Sequence, residues 1–172
     1  MTGGTGWFPH VFTGRVVRHD VGTYRYTVVF LPDELARLLP LDRHPRLRIS
    51  GEVGDLPFSG AWQPVRGRWY LMLSKPLLRD AGLRLGDAAE IRFRVEDQEA
   101  VEVPEALRQA LAADPLAEAA WRALSAGRRR GLAHRVAAAK TPATAARRLA
   151  EVLEALRAGP MVTLRAGPQS TA

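Results

Sequence analysis

Residues 27–53 read TVVFLPDELARLLPLDRHPRLRISGEV, and residues 70–95 read YLMLSKPLLRDAGLRLGDAAEIRFRV. Each is a β-branched or apolar run, a proline-marked short helix, and a second run in which apolar and charged residues alternate. Val28 to Leu31 ends in Pro32-Asp33-Glu34, and a proline followed by acids suits a helix N-terminus. Leu47, Ile49, Gly51 and Val53 then alternate with Arg48, Ser50 and Glu52, the period of a half-buried strand. The second copy repeats this with strand Tyr70–Ser74, helix Pro76–Gly82 and strand Ala89–Val95. Two β-α-β halves of this kind can close a small barrel with internal pseudo-twofold symmetry.

The flanking segments extend the β reading. Phe8 to Arg18 is apolar and β-branched, with a weak point at Gly14, and is expected to form a hairpin with Tyr24 to Leu31 across a turn at His19–Gly22. Gly54-Asp55-Leu56-Pro57 is expected to turn. Phe58–Val65 and Trp69–Leu73 flank Arg66-Gly67-Arg68, a second hairpin signal. About six strands with two short helices result.

Past residue 100 the composition changes to Ala, Leu and Arg with helical periods, and four helices are expected. Pro104–Ala113 carries Leu107 and Leu111. Asp114 is an N-cap with Pro115 at the first helical position. That helix carries Leu116, Ala120 and Leu124, with Glu118 four residues before Arg122 for an ion pair. Ser125 caps a third helix whose apolar face is Leu132, Val136 and Ala139. Thr141-Pro142 opens a fourth, carrying Leu149, Val152, Leu153 and Leu156 and ending at Gly159-Pro160. The expected organisation is a β-barrel domain at 7–98, a helical domain at 102–158 and a mobile tail at 159–172.

The 172 residues carry a net charge of +7 from 23 Arg and two Lys, and no cysteine. Without cysteine there are no disulfides, thiolate nucleophiles or Cys-based metal sites. No run of about 18 apolar residues is present, so no membrane insertion is expected, and no secretory signal is read at the N-terminus. A cytoplasmic protein is the expectation. Residues 1–100 hold 14 basic and 12 acidic residues, and residues 101–172 hold 11 and 6. The excess charge therefore lies in the helical part.

Within it, the stretch 119–150 contains Arg122, Arg128, Arg129, Arg130, Arg135, Lys140, Arg147 and Arg148 with no acid. Arg128, Arg129, Arg130, Arg135, Lys140, Thr144, Arg147 and Arg148 are the candidate anion-binding residues, through charge pairing and a hydroxyl hydrogen bond. The alternative is a solvated helix surface, with Arg147 paired to Glu151 at i,i+4. Trp62, Trp69 and Tyr70, with Phe58, surround one hairpin and either line a pocket or fill the barrel core. His10, His19, His44 and His134 lack metal-ligand spacing. Gly3-Gly4-Thr5-Gly6 has no following Gly-Lys-Ser/Thr, so it is not a phosphate loop. No catalytic constellation, metal site or cofactor is expected.

Val103-Pro104-Glu105-Ala106-Leu107, Ala113-Asp114-Pro115, Trp121, Leu124, Ala139-Lys140, Thr144 and Arg147-Arg148-Leu149 resemble the helical YdeI/OmpD-associated family, labelled bacteriocin protection. Ala145 stands where that family usually has Arg. The segments Tyr26…Leu31-Pro32, Ile49-Ser50-Gly51, Pro57-Phe58, Gly67…Tyr70-Leu71 and Leu83…Gly86-Asp87 are similar to an uncharacterised domain-of-unknown-function family often fused to it. The last of these also resembles the AbrB-like transcription factors. The resemblance implies an α+β protein with a small double-split, AbrB-like β-barrel followed by a helical domain. It further implies a non-enzymatic, stress-associated protective protein with an anionic or peptide partner. The alternative is a nucleic-acid-binding module. A monomer and a homodimer both fit.

Overall fold

The computed structural model describes residues 7–159. They divide into two compact units, one ending at Gln98 and one beginning at Glu99. The Gly3–Gly6 stretch, and the expected tail beyond Gly159, lie outside the described residues.

The first unit is a curled antiparallel sheet, a half-barrel, with two short helices. Its elements are β1 (His10–Arg15), β2 (Val17–Val21), β3 (Tyr24–Phe30), α1 (Asp33–Ala36), β4 (Leu47–Val53), β5 (Leu56–Val65), β6 (Arg68–Met72), α2 (Lys75–Asp80) and β7 (Ala88–Val95). The strands run in the order β1-β7-β4-β5-β6-β3-β2. Seven strands replace the six expected, because the first run divides at Val16 rather than weakening at Gly14. The Val16 amide donates to the Asp87 carbonyl at 2.8 Å, and its own carbonyl accepts from the Gly86 amide at 2.7 Å. Two turns are also shorter than their sequences suggest. His19, Asp20 and Val21 belong to β2, with Gly22 at φ +61° making the turn. Leu56 and Pro57 belong to β5.

The repeated pattern has a pairing counterpart. β3 pairs antiparallel with β6, and β4 with β7. The Leu31 amide donates to Trp69 O, and the Leu73 amide donates to Thr27 O, each at 2.9 Å. Strand β5 pairs with β4 through residues 56–62 and with β6 through residues 63–65. Residues 10–21 do the same in two pieces, β1 with β7 and β2 with β3.

The alternation of apolar residues sets the core. Leu47, Ile49, Val53, Trp62, Leu71, Ile91 and Phe93 are almost wholly buried, with Val16, Val29, Leu31, Leu39, Leu41 and Leu73 around them. Each large side chain so buried contributes about 1.5–3 kcal/mol. Phe12 and Phe93 pack against Trp62 with ring centroids 6.0 and 5.4 Å away. His10 stacks on Phe93 at 5.0 Å, and its partial burial holds its pKa below the usual imidazole value. At Gly51 the chains approach too closely for any side chain: a β-carbon there would sit 1.9 Å from the Arg92 carbonyl oxygen.

The second unit has four helices, α3 (Glu105–Ala112), α4 (Pro115–Ala123), α5 (Ala126–Ala137) and α6 (Pro142–Ala158). The three capping residues read from the sequence all accept backbone amides: Asp114 from Ala117, Ser125 from Arg128 and Thr141 from Thr144. Leu107, Leu111, Trp121, Val136, Val152 and Leu156 form the centre of its core. Of the expected apolar face of α4, Ala120 and Leu124 pack against this core and Leu116 does not. Leu116 is 66% exposed, while Ala117 and Trp121, one helical turn apart, face inward. Glu118 and Arg122 do pair, at 2.7 Å.

Asp114 does more than cap. Its second oxygen accepts from Arg157 Nε at 2.6 Å, tying the start of α4 to the end of α6. The Ala117 amide first, then Arg157, holds its carboxyl below its ordinary pKa. A carboxylate with a depressed folded-state pKa adds stability above its unfolded pKa and loses it as pH falls through the folded value. Asp114→Ala is therefore expected to melt earlier than wild type at neutral pH. The two melting curves should converge as the pH is taken down from about 4. A constant gap below that pH would contradict this account.

Candidate functional site

The basic residues singled out in the sequence lie on α5, α6 and the turn between them, and the structure gives them two different roles. One group braces the helices. Arg135 Nη2 donates to Glu151 Oε2 at 2.5 Å, and Arg147 Nε lies 4.0 Å from Glu151 Oε1. Arg148 Nη1 donates to the Arg135 carbonyl at 3.0 Å, linking α6 to α5. Thr144 completes the helix cap: its amide donates to Thr141 Oγ1, and its hydroxyl oxygen accepts from the Thr141 hydroxyl at 2.9 Å. Arg130 is half-buried, and its Nη1 donates to the Ala100 carbonyl at 3.2 Å.

The other group is Arg128, Arg129 and Lys140. Arg128 and Lys140 are exposed, and neither side chain has a hydrogen-bond or ion-pair partner among the described residues. Arg129 is half-buried, and its Nε is shielded from water without a hydrogen-bond partner. A guanidinium atom withdrawn from water and left unpaired costs free energy that an incoming anion would recover. Ser125 caps this helix, and Ala133 and Val136 face inward from it. Arg129 follows the inner edge of that face, and Arg128 lies outside it.

The hairpin aromatics resolve differently. Trp62 is fully buried, Tyr70 is 7% exposed and Trp69 packs half-buried against the core. The indole N–H groups of Trp62 and Trp69 are buried without acceptors. Trp62 is a core side chain and offers no surface to a ligand. Alternation sends Trp69 inward and Tyr70 to the opposite face of β6.

On that opposite face the structure assembles rings that the sequence reading did not group. Strand β3 turns Val29 into the core, which places Tyr24, Tyr26 and Phe30 on the other side. His19 on β2 lies 4.8 Å from the Tyr70 ring and 5.7 Å from Phe30. The Arg68 guanidinium sits 4.0 Å over the Phe30 ring, a cation–π contact. Tyr24 and Tyr26 stack at 6.1 Å with 16° between their planes, and Tyr24 is 62% exposed. His19 Nε2 is buried without a hydrogen-bond partner. The period-two spacing of Tyr24, Tyr26 and Phe30 was the available signal. It is masked because Val28 and Val29 make the strand apolar on both faces.

No described helix is long and apolar enough to cross a membrane. No curated protein matches the chain. Residues 12–93 match the model of a domain of unknown function, DUF1905. Residues 100–159 match the model described as bacteriocin-protection, YdeI or OmpD-associated. Each span falls within one compact unit, so the first unit is similar to DUF1905 domains and the second to bacteriocin-protection, YdeI or OmpD-associated domains.

Proposed function

We propose that this is a non-enzymatic protein of the bacteriocin-protection type that binds an acidic peptide segment of a partner through Arg128, Arg129 and Lys140. The unpaired Nε of half-buried Arg129 carries this reading. Most neighbouring cations already have partners: Glu151 neutralises Arg135 and Arg147, and backbone carbonyls take Arg148 and Arg130. Arg128, Arg129 and Lys140 keep their charge for a ligand. The acid-free stretch 119–150 adds a field that draws an anion in and gives no competing carboxylate. We also read the half-barrel as a double-split, AbrB-like closure. The support is the exchange in which β5, and residues 10–21, each serve both halves of the sheet.

The test is fluorescence anisotropy of a labelled Asp/Glu-rich peptide with the full chain. Exposed charge pairs contribute about 0.2–1 kcal/mol each, so the Arg128→Ala, Arg129→Ala, Lys140→Ala triple variant should bind about tenfold more weakly. Affinity should fall as salt rises. Unchanged affinity in the triple variant, or no binding at low salt, overturns the reading.

A further inference from the structure

We propose that the outer face of the β2–β3–β6 end of the sheet binds single-stranded nucleic acid, with bases stacking on Tyr24 and Tyr26. This site lies in the other unit from the helical one and stands independently of it.

Three observations converge there. The first is the mostly exposed Tyr24 ring, stacked on half-buried Tyr26 beside the more deeply set Phe30, His19 and Tyr70 rings. An exposed ring face carried on a sheet can take an unpaired base, since every base has a π-face. The second is charge. Arg68 lies on the ring face, over Phe30, and Arg66 stands in the adjoining β5–β6 turn, while Arg18, Arg25 and Asp20 alternate to the opposite face of β2 and β3. The opposite half of the sheet neutralises itself: Arg92 is flanked by Glu52, Asp55 and Glu90, and Arg94 pairs with Glu96. Arg66 and Arg68 therefore border the rings, where a phosphate backbone would pass. The third is the buried, unpartnered Nε2 of His19 among those rings. A base edge or a phosphate oxygen would satisfy it.

The chemistry favours a single strand over a duplex, because stacking on a side chain requires a base whose face is free. It favours nucleic acid over an acidic peptide, which would use the arginines and leave the flat rings unoccupied.

The experiment is anisotropy of a labelled oligonucleotide of about a dozen nucleotides, as single strand and as duplex, with the full chain at about 50 mM and about 200 mM salt. The single strand should bind more tightly than the duplex and weaken steeply with salt. Tyr24→Ala should weaken it about tenfold, the loss of one stacked base. Tyr24→Phe should retain binding, because it keeps the ring. Photocrosslinking should attach the oligonucleotide to the peptide containing Tyr24 and Tyr26. Tyr24 is an exposed side chain, so its replacement leaves the core intact, and an unshifted melting curve verifies this. The proposal fails if the single strand does not bind at the lower salt, or if the duplex binds equally well. It fails if Tyr24→Ala binds like wild type while the Arg128, Arg129, Lys140 variant loses binding. It also fails if a proline-rich peptide, and no oligonucleotide, occupies Tyr24.

Discussion

Gly51→Ala is expected to cost the N-terminal unit about 3 kcal/mol or more. The alanine β-carbon would lie 1.9 Å from the Arg92 carbonyl oxygen, and Arg92 and Phe93 backbone atoms stand within 3 Å as well. Backbone in a paired strand cannot swing aside as a side-chain tip can, so β4 and β7 would have to part. That pairing runs from Ile49–Val95 to Val53–Ile91 and joins the two halves of the repeat. At about 4–8 °C per kcal/mol for a unit of this size, the melting temperature should fall by at least about 12 °C. Gly54→Ala is the control. Gly54 has φ +60° with no atom within 4 Å of an added β-carbon. It should lose only the left-handed backbone cost of about 1–2 kcal/mol. Equal losses at the two positions, measured by denaturant titration, would remove the close approach as the cause.

Trp62→Ala is expected to cost about 3–5 kcal/mol, the range for deleting a buried aromatic. Trp62 is fully buried between Phe12 and Phe93 and lies opposite Leu47 in the β4–β5 ladder. Trp62→Phe should cost much less. It keeps most of the ring contact and removes an indole N–H that is buried without an acceptor. A small loss for Trp62→Ala would mean that the side chain stands in a cavity with little to hold. Near-ultraviolet circular dichroism alongside the melts would separate a loosened core from a lost fold.

Both predictions rest on features that the sequence shows unequally. Gly51 appears there only as one apolar-phase position of an alternating strand. Nothing local in Ile49-Ser50-Gly51-Glu52-Val53 distinguishes a glycine forced by a neighbouring backbone from one that merely tolerates the strand. The neighbour, Arg92, is 41 positions away in the chain. Trp62 is ambiguous for a related reason: an aromatic on a hairpin serves a pocket or a core depending on which face the sheet closes over. The helix caps were legible because each is settled within four residues. Asp114, Ser125 and Thr141 need only the amide three positions on. The apolar face of α4 went wrong at Leu116. Helical period alone does not choose between Leu116 and Ala117, and the choice is made by what packs opposite, Leu107, Leu111 and Val152.

The candidate site divides in the same way. Composition located the cationic stretch, and the i,i+4 spacing anticipated the Arg147–Glu151 pair. Which of its cations are committed was not readable, because the Arg135–Glu151 and Arg148–Arg135 bonds span 16 and 13 residues. The ring cluster on the outer sheet face is less readable still, since it joins His19, Phe30 and Tyr70 from three strands.

By itself, the sequence of this protein determined the quantities set over one or two turns of chain: the strand and helix periods, the caps, the repeat of strand, helix and strand, and the change from a β-rich to a helical unit. The tertiary structure alone decided where the first strand breaks, which glycine admits no side chain, which tryptophan is core and which arginines are bonded within the helical unit. Each of those depends on atoms brought together from distant positions, and their distances and burial exist only once the sheet has curled and the helices have packed.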